Sequence, residues 1–134
     1  MLLVKTYLAA SAVHGIGVYA AEPIEEGAII WAFNPVLDIL VSPEQLASLP
    51  DIGQNFLRKY AYPHAASPAY VLCADDARFM NHSDQPNIRS IYPEGDLHGL
   101  DLAARLIQAG EELLCDYLTF DADHARKLGG ASQS

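Results

Sequence analysis

Short apolar segments separated by turn-forming residues are the feature that most constrains the fold. The segments are rich in β-branched and aromatic residues, and glycine, proline or aspartate usually closes them, which is typical of β-strands. We expect strands at Leu2–Leu8, Gly17–Ala20, Ala28–Phe33, Tyr70–Cys73, Asn87–Tyr92 and Glu111–Cys115. These segments do not alternate with helices as they would in a doubly wound parallel sheet. The sequence therefore predicts a mainly β domain.

One region interrupts this pattern and predicts a helical insertion. Ser42 is suited to cap a helix, Pro43 to occupy its first position and Gln45 to complete a capping box. Pro50 is expected to end this short helix, because proline disfavours helical geometry in the residue before it. A second helix is expected to follow, with its apolar residues on one face. These residues are Ile52, Phe56, Leu57 and Tyr60.

Length and charge limit the classes of partner. The 134 residues are 51% hydrophobic and suffice for one self-supporting domain. The net charge of −9 argues against nucleic acid and against an anionic membrane surface, and it favours a basic, lysine-rich partner. No apolar run approaches the roughly 20 residues of a membrane span. Cys73 and Cys115 lack the spacing of a zinc site or a disulfide scaffold, so we expect no metal and a reducing, cytoplasmic location.

A polar segment in the second half of the chain carries the strongest chemical signal. Residues 78–87 read RFMNHSDQPN, and Pro86 confines the segment to a loop or a sheet edge. Its asparagines and serine would suit a hydrogen-bonded turn with a purely structural role. His82 and Ser83 are adjacent in sequence and cannot readily form a catalytic dyad. A serine or cysteine hydrolase is disfavoured, because no nucleophile lies in a recognised elbow motif.

Together with two other motifs, this segment resembles the SET domain family of protein-lysine methyltransferases. The first motif is Gly15–Ile16–Gly17, the second is the Asn-His-Ser segment, and the third is GEELLCDY at residues 110–117. Their order and spacing are similar to those of the family over nearly the whole chain. The resemblance implies a SET domain at residues 1–120, followed by a short tail at 121–134. It also implies a compact β-clip-like fold of short strands, with a knot-like crossing near the C-terminus.

The resemblance implies S-adenosylmethionine as cofactor and a lysine side chain of a protein or peptide as substrate. By position in the motifs, Tyr117 would be the catalytic residue that orients the amine or the transferring methyl group. The implied cofactor-binding residues are Ile16, Gly17, Arg78, Asn81, His82 and Tyr117. Each also has a structural alternative: a simple turn for the glycine motif, a fold-defining loop for Asn81 and His82, a core tyrosine for Tyr117, and an ion pair with an acidic neighbour for Arg78.

Three departures from the family pattern qualify this expectation. Asp84 replaces a cysteine that joins a zinc site in many eukaryotic members, and no cysteine follows Tyr117. Cys115 replaces a larger aromatic residue, so we expect that multiple methylation is sterically allowed. A tyrosine-containing motif is absent near Trp31 and Phe33, either of which would take its place. The alternative function is therefore an inactive SET-fold module that binds proteins, and a homodimer is one way to complete the lysine channel.

Overall fold

The computed structural model describes residues 1–116 of the 134-residue chain. Over these residues the protein is mainly β, as predicted. The elements are β1 (Thr6–Ala10), β2 (Ile16–Ala20), β3 (Ile29–Ala32), β4 (Asp38–Val41), α1 (Pro43–Ala47), α2 (Asp51–Tyr60), β5 (Tyr62–Pro63), β6 (Tyr70–Cys73), a 3₁₀ helix (Asp76–Phe79), β7 (Asn81–His82), β8 (Ile88–Ile91), β9 (Leu100–Ala103) and β10 (Leu114–Cys115). Neither α-helix in this part of the chain is long and apolar enough to cross a bilayer.

The strands within residues 1–116 form four small sheets. Strands β1 and β2 make an antiparallel hairpin. Two three-stranded antiparallel sheets have the orders β3-β9-β8 and β4-β6-β5. The fourth sheet is the parallel pair of β7 and β10, which brings together segments more than 30 residues apart. This pair lies in the region where the predicted C-terminal crossing was expected.

The main hydrophobic core lies between the β1-β2 hairpin and the β3-β9-β8 sheet. Its buried members come from strands and from the loops that enter them: Val18, Ala20, Ile24, Ile30, Met80, Ile88, Ala103, Ile107 and Leu113. A smaller cluster of Trp31, Val71 and Cys73 connects β3 to β6. Burial of large aliphatic side chains contributes about 1.5–3 kcal/mol each, so this core is the main stabilising element of the domain.

The helical insertion is confirmed, but its boundaries and buried face differ from the prediction. The capping box of α1 is present: the Gln45 N–H donates to Ser42 Oγ (3.0 Å), and the Ser42 N–H donates to Gln45 Oε1 (2.8 Å). Helix α1 already ends at Ala47, and Pro50 occupies the N-cap position of α2. Leu57 is the buried residue of α2, whereas Ile52 is 85% exposed. The predicted apolar face was wrong for Ile52, because α2 turns its Leu57 side, rather than its Ile52 side, toward the rest of the chain.

The first and last predicted strands also needed correction. The first strand begins at Thr6 instead of Leu2, which forms only an isolated bridge with Trp31. The last strand is limited to Leu114–Cys115. The residues before it, from Gly110 to Leu113, instead hydrogen-bond to β2 through single backbone contacts, such as the Leu113 N–H with the Val18 carbonyl (2.7 Å).

Candidate functional site

The β1-β2 hairpin presents the Gly15–Ile16–Gly17 motif beside the polar segment. Gly15 has a φ of 54°, a left-handed conformation that glycine adopts without a steric cost. Gly17 is required for a different reason. A Cβ at this position would lie 2.2 Å from Glu112 Oε2 and 3.1 Å from Ser11 Cβ. The missing side chain of Gly17 therefore makes room for the Glu112 carboxylate.

Asn81 connects this hairpin to the segment before β10. Its side-chain Nδ2 lies within hydrogen-bonding distance of the His14 carbonyl (2.9 Å), the Ile16 carbonyl (3.1 Å) and Glu112 Oε2 (3.1 Å). Glu112 Oε2 also accepts a hydrogen bond from Ser11 Oγ (2.7 Å). Three oxygens around one nitrogen fix the orientation of the amide. In the described part of the chain no donor contacts Asn81 Oδ1, so this oxygen can accept a hydrogen bond from a ligand.

Asn87 holds the pairing of β7 with β10. Its side chain is buried, and its Nδ2 donates to the Glu112 carbonyl (2.8 Å) while its Oδ1 accepts from the Leu114 N–H (2.9 Å). The Asn87 backbone N–H also donates to the Leu114 carbonyl (3.2 Å). A two-residue parallel pair has few backbone hydrogen bonds of its own, so these contacts supply much of what holds the two segments together.

A large cleft opens beside the hairpin and Asn81. Its volume is about 730 Å³, and one wall comes from the glycine turn while another comes from the C-terminal half of α2. Among the residues proposed from sequence, Ile16, Arg78 and Asn81 line this cleft together. Gly17 and His82 adjoin it in sequence but do not line it, and Tyr117 lies outside the described residues.

A second, narrower cavity of about 70 Å³ lies next to the cleft. Four large aromatic side chains form part of its wall: Trp31, Tyr60, Tyr62 and Tyr92. Cys115 and the carboxylate-bearing Asp101 also line it. The two cavities are adjacent, because four side chains line both: Tyr60, Tyr62, Arg78 and Met80.

This arrangement of motifs coincides with a known domain. A family model described as SET domain matches residues 15–118. The chain belongs to the SET domain family. Histone-lysine N-methyltransferase 2B from Homo sapiens is 30% identical to it over 123 residues, which is 88% of this chain and 4% of that protein. The chain thus spans only a small part of this curated relative.

Two solved structures share the fold of this SET domain. A candidate histone methyltransferase from Plasmodium falciparum superposes with a TM-score of 0.60 at 23% identity, covering 87% of this chain and 95% of that one. An inhibitor-bound, humanized mutant of the Chaetomium thermophilum Polycomb Repressive Complex 2 gives a TM-score of 0.62 at 24% identity, covering 85% of this chain and 15% of that one.

Within the SET domain, Arg78 lies between the two cavities. Its Nη1 donates to the Ala74 carbonyl (3.0 Å), and its guanidinium lies 4.6 Å from the centre of the Phe79 ring. Among residues 1–116 no carboxylate lies within ion-pair distance of it. The geometry therefore favours the position beside the cavities over the ion pair with an acidic neighbour.

His82 has a different environment from Asn81. Its Nδ1 lies 3.6 Å from Asp116 Oδ1, and both side chains are about one-third exposed. Its place in β7 opposite Cys115 also ties it to the crossing of the two segments. These contacts place His82 at the base of the segment that leads to Tyr117.

The narrow cavity alters the acidity of the groups around it. Burial raises the pKa of Tyr62 well above its usual value, so Tyr62 stays a neutral phenol at physiological pH. Burial also raises the pKa of Asp101 to about 6. Asp101 is therefore mostly ionised at pH 7 and above. Burial raises the pKa of Cys73 as well, which makes this thiol a poor nucleophile.

The sequence did not predict several residues of the site. Glu112 belongs to the third motif, yet only the structure shows that its carboxylate joins Ser11 to Asn81. Tyr60, Tyr62 and Tyr92 come from separate segments, and no spacing relates them. Of the two candidates for the missing tyrosine motif, Trp31 lines the narrow cavity, whereas Phe33 stacks on His98 with ring centroids 3.8 Å apart.

Proposed function

We propose that this SET domain transfers methyl groups from S-adenosylmethionine to lysine side chains of a protein substrate. The observation that carries the proposal is the shared wall between the large cleft and the narrow aromatic cavity. A donor in one and an amine in the other would meet at that wall. Such placement supports group transfer, because holding two reactants together supplies much of the acceleration.

The large cleft fits the proposed cofactor in size and in chemistry. Its volume lies within the roughly 300–1,000 Å³ typical of small-molecule sites. Arg58, Lys59 and Arg78 line it and can attract the carboxylate of S-adenosylmethionine. Asn81 Oδ1 can accept from the cofactor's ammonium group, and the glycine turn lets its backbone approach closely. When bound, the cofactor would supply an electrophilic methyl group on a positively charged sulfur.

The narrow cavity fits the stem of a lysine. Aromatic rings offer apolar walls to the four methylene groups and attract a cationic end through their faces. Cys115, which replaces a larger residue of the family, leaves space near the end of such a side chain. The net charge of −9 supports a basic substrate protein over a neutral one.

Calorimetry and label transfer test this proposal together. The protein is titrated with S-adenosylmethionine and then incubated with methyl-labelled cofactor and lysine-rich protein. We expect cofactor binding and label on lysine, and Asn81→Ala should weaken binding, whereas Gln108→Ala, at an exposed position that does not line the cleft, should not. Cofactor binding without transfer to any lysine-rich protein would refute the enzymatic proposal. Binding of a protein partner without cofactor binding would favour the inactive module.

We also propose a cytoplasmic location. The two cysteines of the chain, Cys73 and Cys115, are not joined by a disulfide, which suits a reducing compartment. Fractionation of cells that express the protein, followed by detection with an antibody, tests this directly. Recovery in a secreted or membrane fraction would contradict it.

A further inference from the structure

A carboxylate faces the aromatic cavity at the centre of the β3-β9-β8 sheet. Asp101 on β9 is paired with Trp31 on β3 and with Ser90 on β8. Residues directly opposite one another across strands point to the same face of a sheet. The three side chains therefore form a row, and all three line the narrow cavity.

The positive charge that acts on Asp101 from within the described residues is the N-terminal ammonium, which forms its ion pair with Asp38 (2.7 Å) and not with Asp101. Ser90 Oγ donates to Asp101 Oδ1 (2.7 Å), and among residues 1–116 no lysine, arginine or histidine forms an ion pair with it. The other titratable groups on the cavity wall are Tyr60, Tyr62, Cys73, Arg78, Tyr92, His98, Cys115 and Asp116. Ser90 is exposed, so the row extends from the protein surface into the cavity. A carboxylate in such a place is stabilised by a cationic ligand that brings its own N–H donors.

We propose that the Asp101 carboxylate binds the amine of the substrate lysine through its N–H groups and thereby favours less methylated lysines. This inference rests on the proposed function. A lysine ammonium carries three N–H groups, and each methyl group added removes one. Aromatic walls retain their attraction for a fully methylated amine, but Asp101 then has no N–H to accept.

The role of Asp101 is in binding rather than in proton removal. A carboxylate beside an ammonium stabilises the charged form, whereas the amine must be neutral when it attacks. Loss of the carboxylate should therefore raise KM for the lysine substrate by more than it lowers kcat. Hydrogen bonds to charged groups predict a loss of about 10- to 100-fold in kcat/KM for Asp101→Asn.

A binding experiment tests Asp101 without requiring any methyl transfer. Isotope-labelled wild-type protein, Asp101→Asn and the charge-matched control Asp51→Asn, which lies at the exposed start of α2, are titrated with n-butylammonium and with butyltrimethylammonium by NMR. We expect wild type and Asp51→Asn to prefer n-butylammonium by about tenfold, and Asp101→Asn to lose the preference. Equal preferences in all three proteins, or no binding of n-butylammonium to wild type, would overturn the proposal.

A transfer experiment then connects the site to substrate. The three proteins are compared with labelled S-adenosylmethionine and a lysine-rich protein, and mass spectra count the methyl groups on each lysine. Asp101→Asn should raise KM and lose the preference for unmethylated lysine, while its cofactor affinity, measured by calorimetry, stays unchanged, because Asp101 does not line the large cleft.

The two experiments distinguish a failure of the proposed methyltransferase activity from a failure of the proposed role of Asp101. If wild type transfers no label but still prefers n-butylammonium through Asp101, the proposed activity fails and the cation site stands. If wild type transfers label and Asp101→Asn has the same KM and the same methylation pattern, the activity stands and the role of Asp101 is refuted.

Discussion

Replacing Asn87 by alanine should destabilise the domain strongly, because one buried amide satisfies two backbone groups of the β10 segment. The variant removes the hydrogen bonds to the Glu112 carbonyl (2.8 Å) and from the Leu114 N–H (2.9 Å). Each unsatisfied buried group costs about 1–3 kcal/mol. Glu112 and Leu114 are only half-buried, so water restores part of the loss. We therefore expect about 2–4 kcal/mol, a large fraction of the roughly 5–15 kcal/mol that stabilises a domain.

Thermal unfolding followed by circular dichroism measures this loss. For a chain of this length the expected decrease in Tm is about 8–16 °C. Asn55→Ala is the control, because Asn55 is exposed on α2 and its loss should change stability by no more than about 0.5 kcal/mol. Hydrogen exchange supplies a local readout: the Leu114 amide should lose protection in Asn87→Ala beyond the change in global stability. A decrease in Tm no larger than that of the control would refute the assigned role of Asn87.

Three other predictions follow from the site. Gly17→Ala should lower the free energy of unfolding by about 1–3 kcal/mol, because the added Cβ would clash with Glu112 Oε2. Denaturant titration should show a smaller loss when Glu112 is also replaced by alanine, and an equal loss would contradict the clash. Tyr117→Phe should reduce methyl transfer sharply while changing stability by about 1 kcal/mol or less, and unchanged transfer would disprove its catalytic role. Burial raises the pKa of Asp101 to about 6 in the folded protein, so the folded state binds this proton more tightly than the unfolded chain does. The contribution of Asp101 to the free energy of unfolding should therefore fall by at most about 3 kcal/mol as the pH rises from about 4 to 6. Urea titrations at several pH values should show that Asp101→Asn lacks this component, and an identical pH profile would exclude it.

Local signals in the sequence predicted local structure well. The capping box at Ser42 and the strand at Tyr70–Cys73 depend on neighbouring residues, and both are confirmed. Strand β4 escaped prediction, as did β7, whose polar Asn-His pair carries no strand pattern. Strand β7 forms because β10 pairs with it and the Asn87 side chain stabilises the pair. The two strands are far apart in sequence, so a prediction from neighbouring residues cannot find this contact.

In the candidate site, too, local motifs were predicted and long-range contacts were not. The motifs correctly indicated a family, and the structure brings Ile16, Arg78 and Asn81 to one cleft. The narrow cavity could not be predicted, because Trp31, Tyr62, Tyr92 and Asp101 come from four strands or loops whose packing alone brings them together. Asp101 was a signal available in the sequence, because a charged side chain in an otherwise apolar strand is rarely placed inside a protein without a partner.

The three motifs contribute to the fold and to the candidate site at the same time. Glu112 of the third motif accepts a hydrogen bond from Ser11 in the hairpin and another from Asn81 of the second motif, in the space that Gly17 of the first leaves open. Asn81 in turn uses its N–H groups on the hairpin, which leaves its Oδ1 for a ligand. The same hydrogen bonds thus stabilise the fold and orient the side chains of the candidate site. Substitutions within this unit should couple non-additively, and stability and cofactor binding should change together.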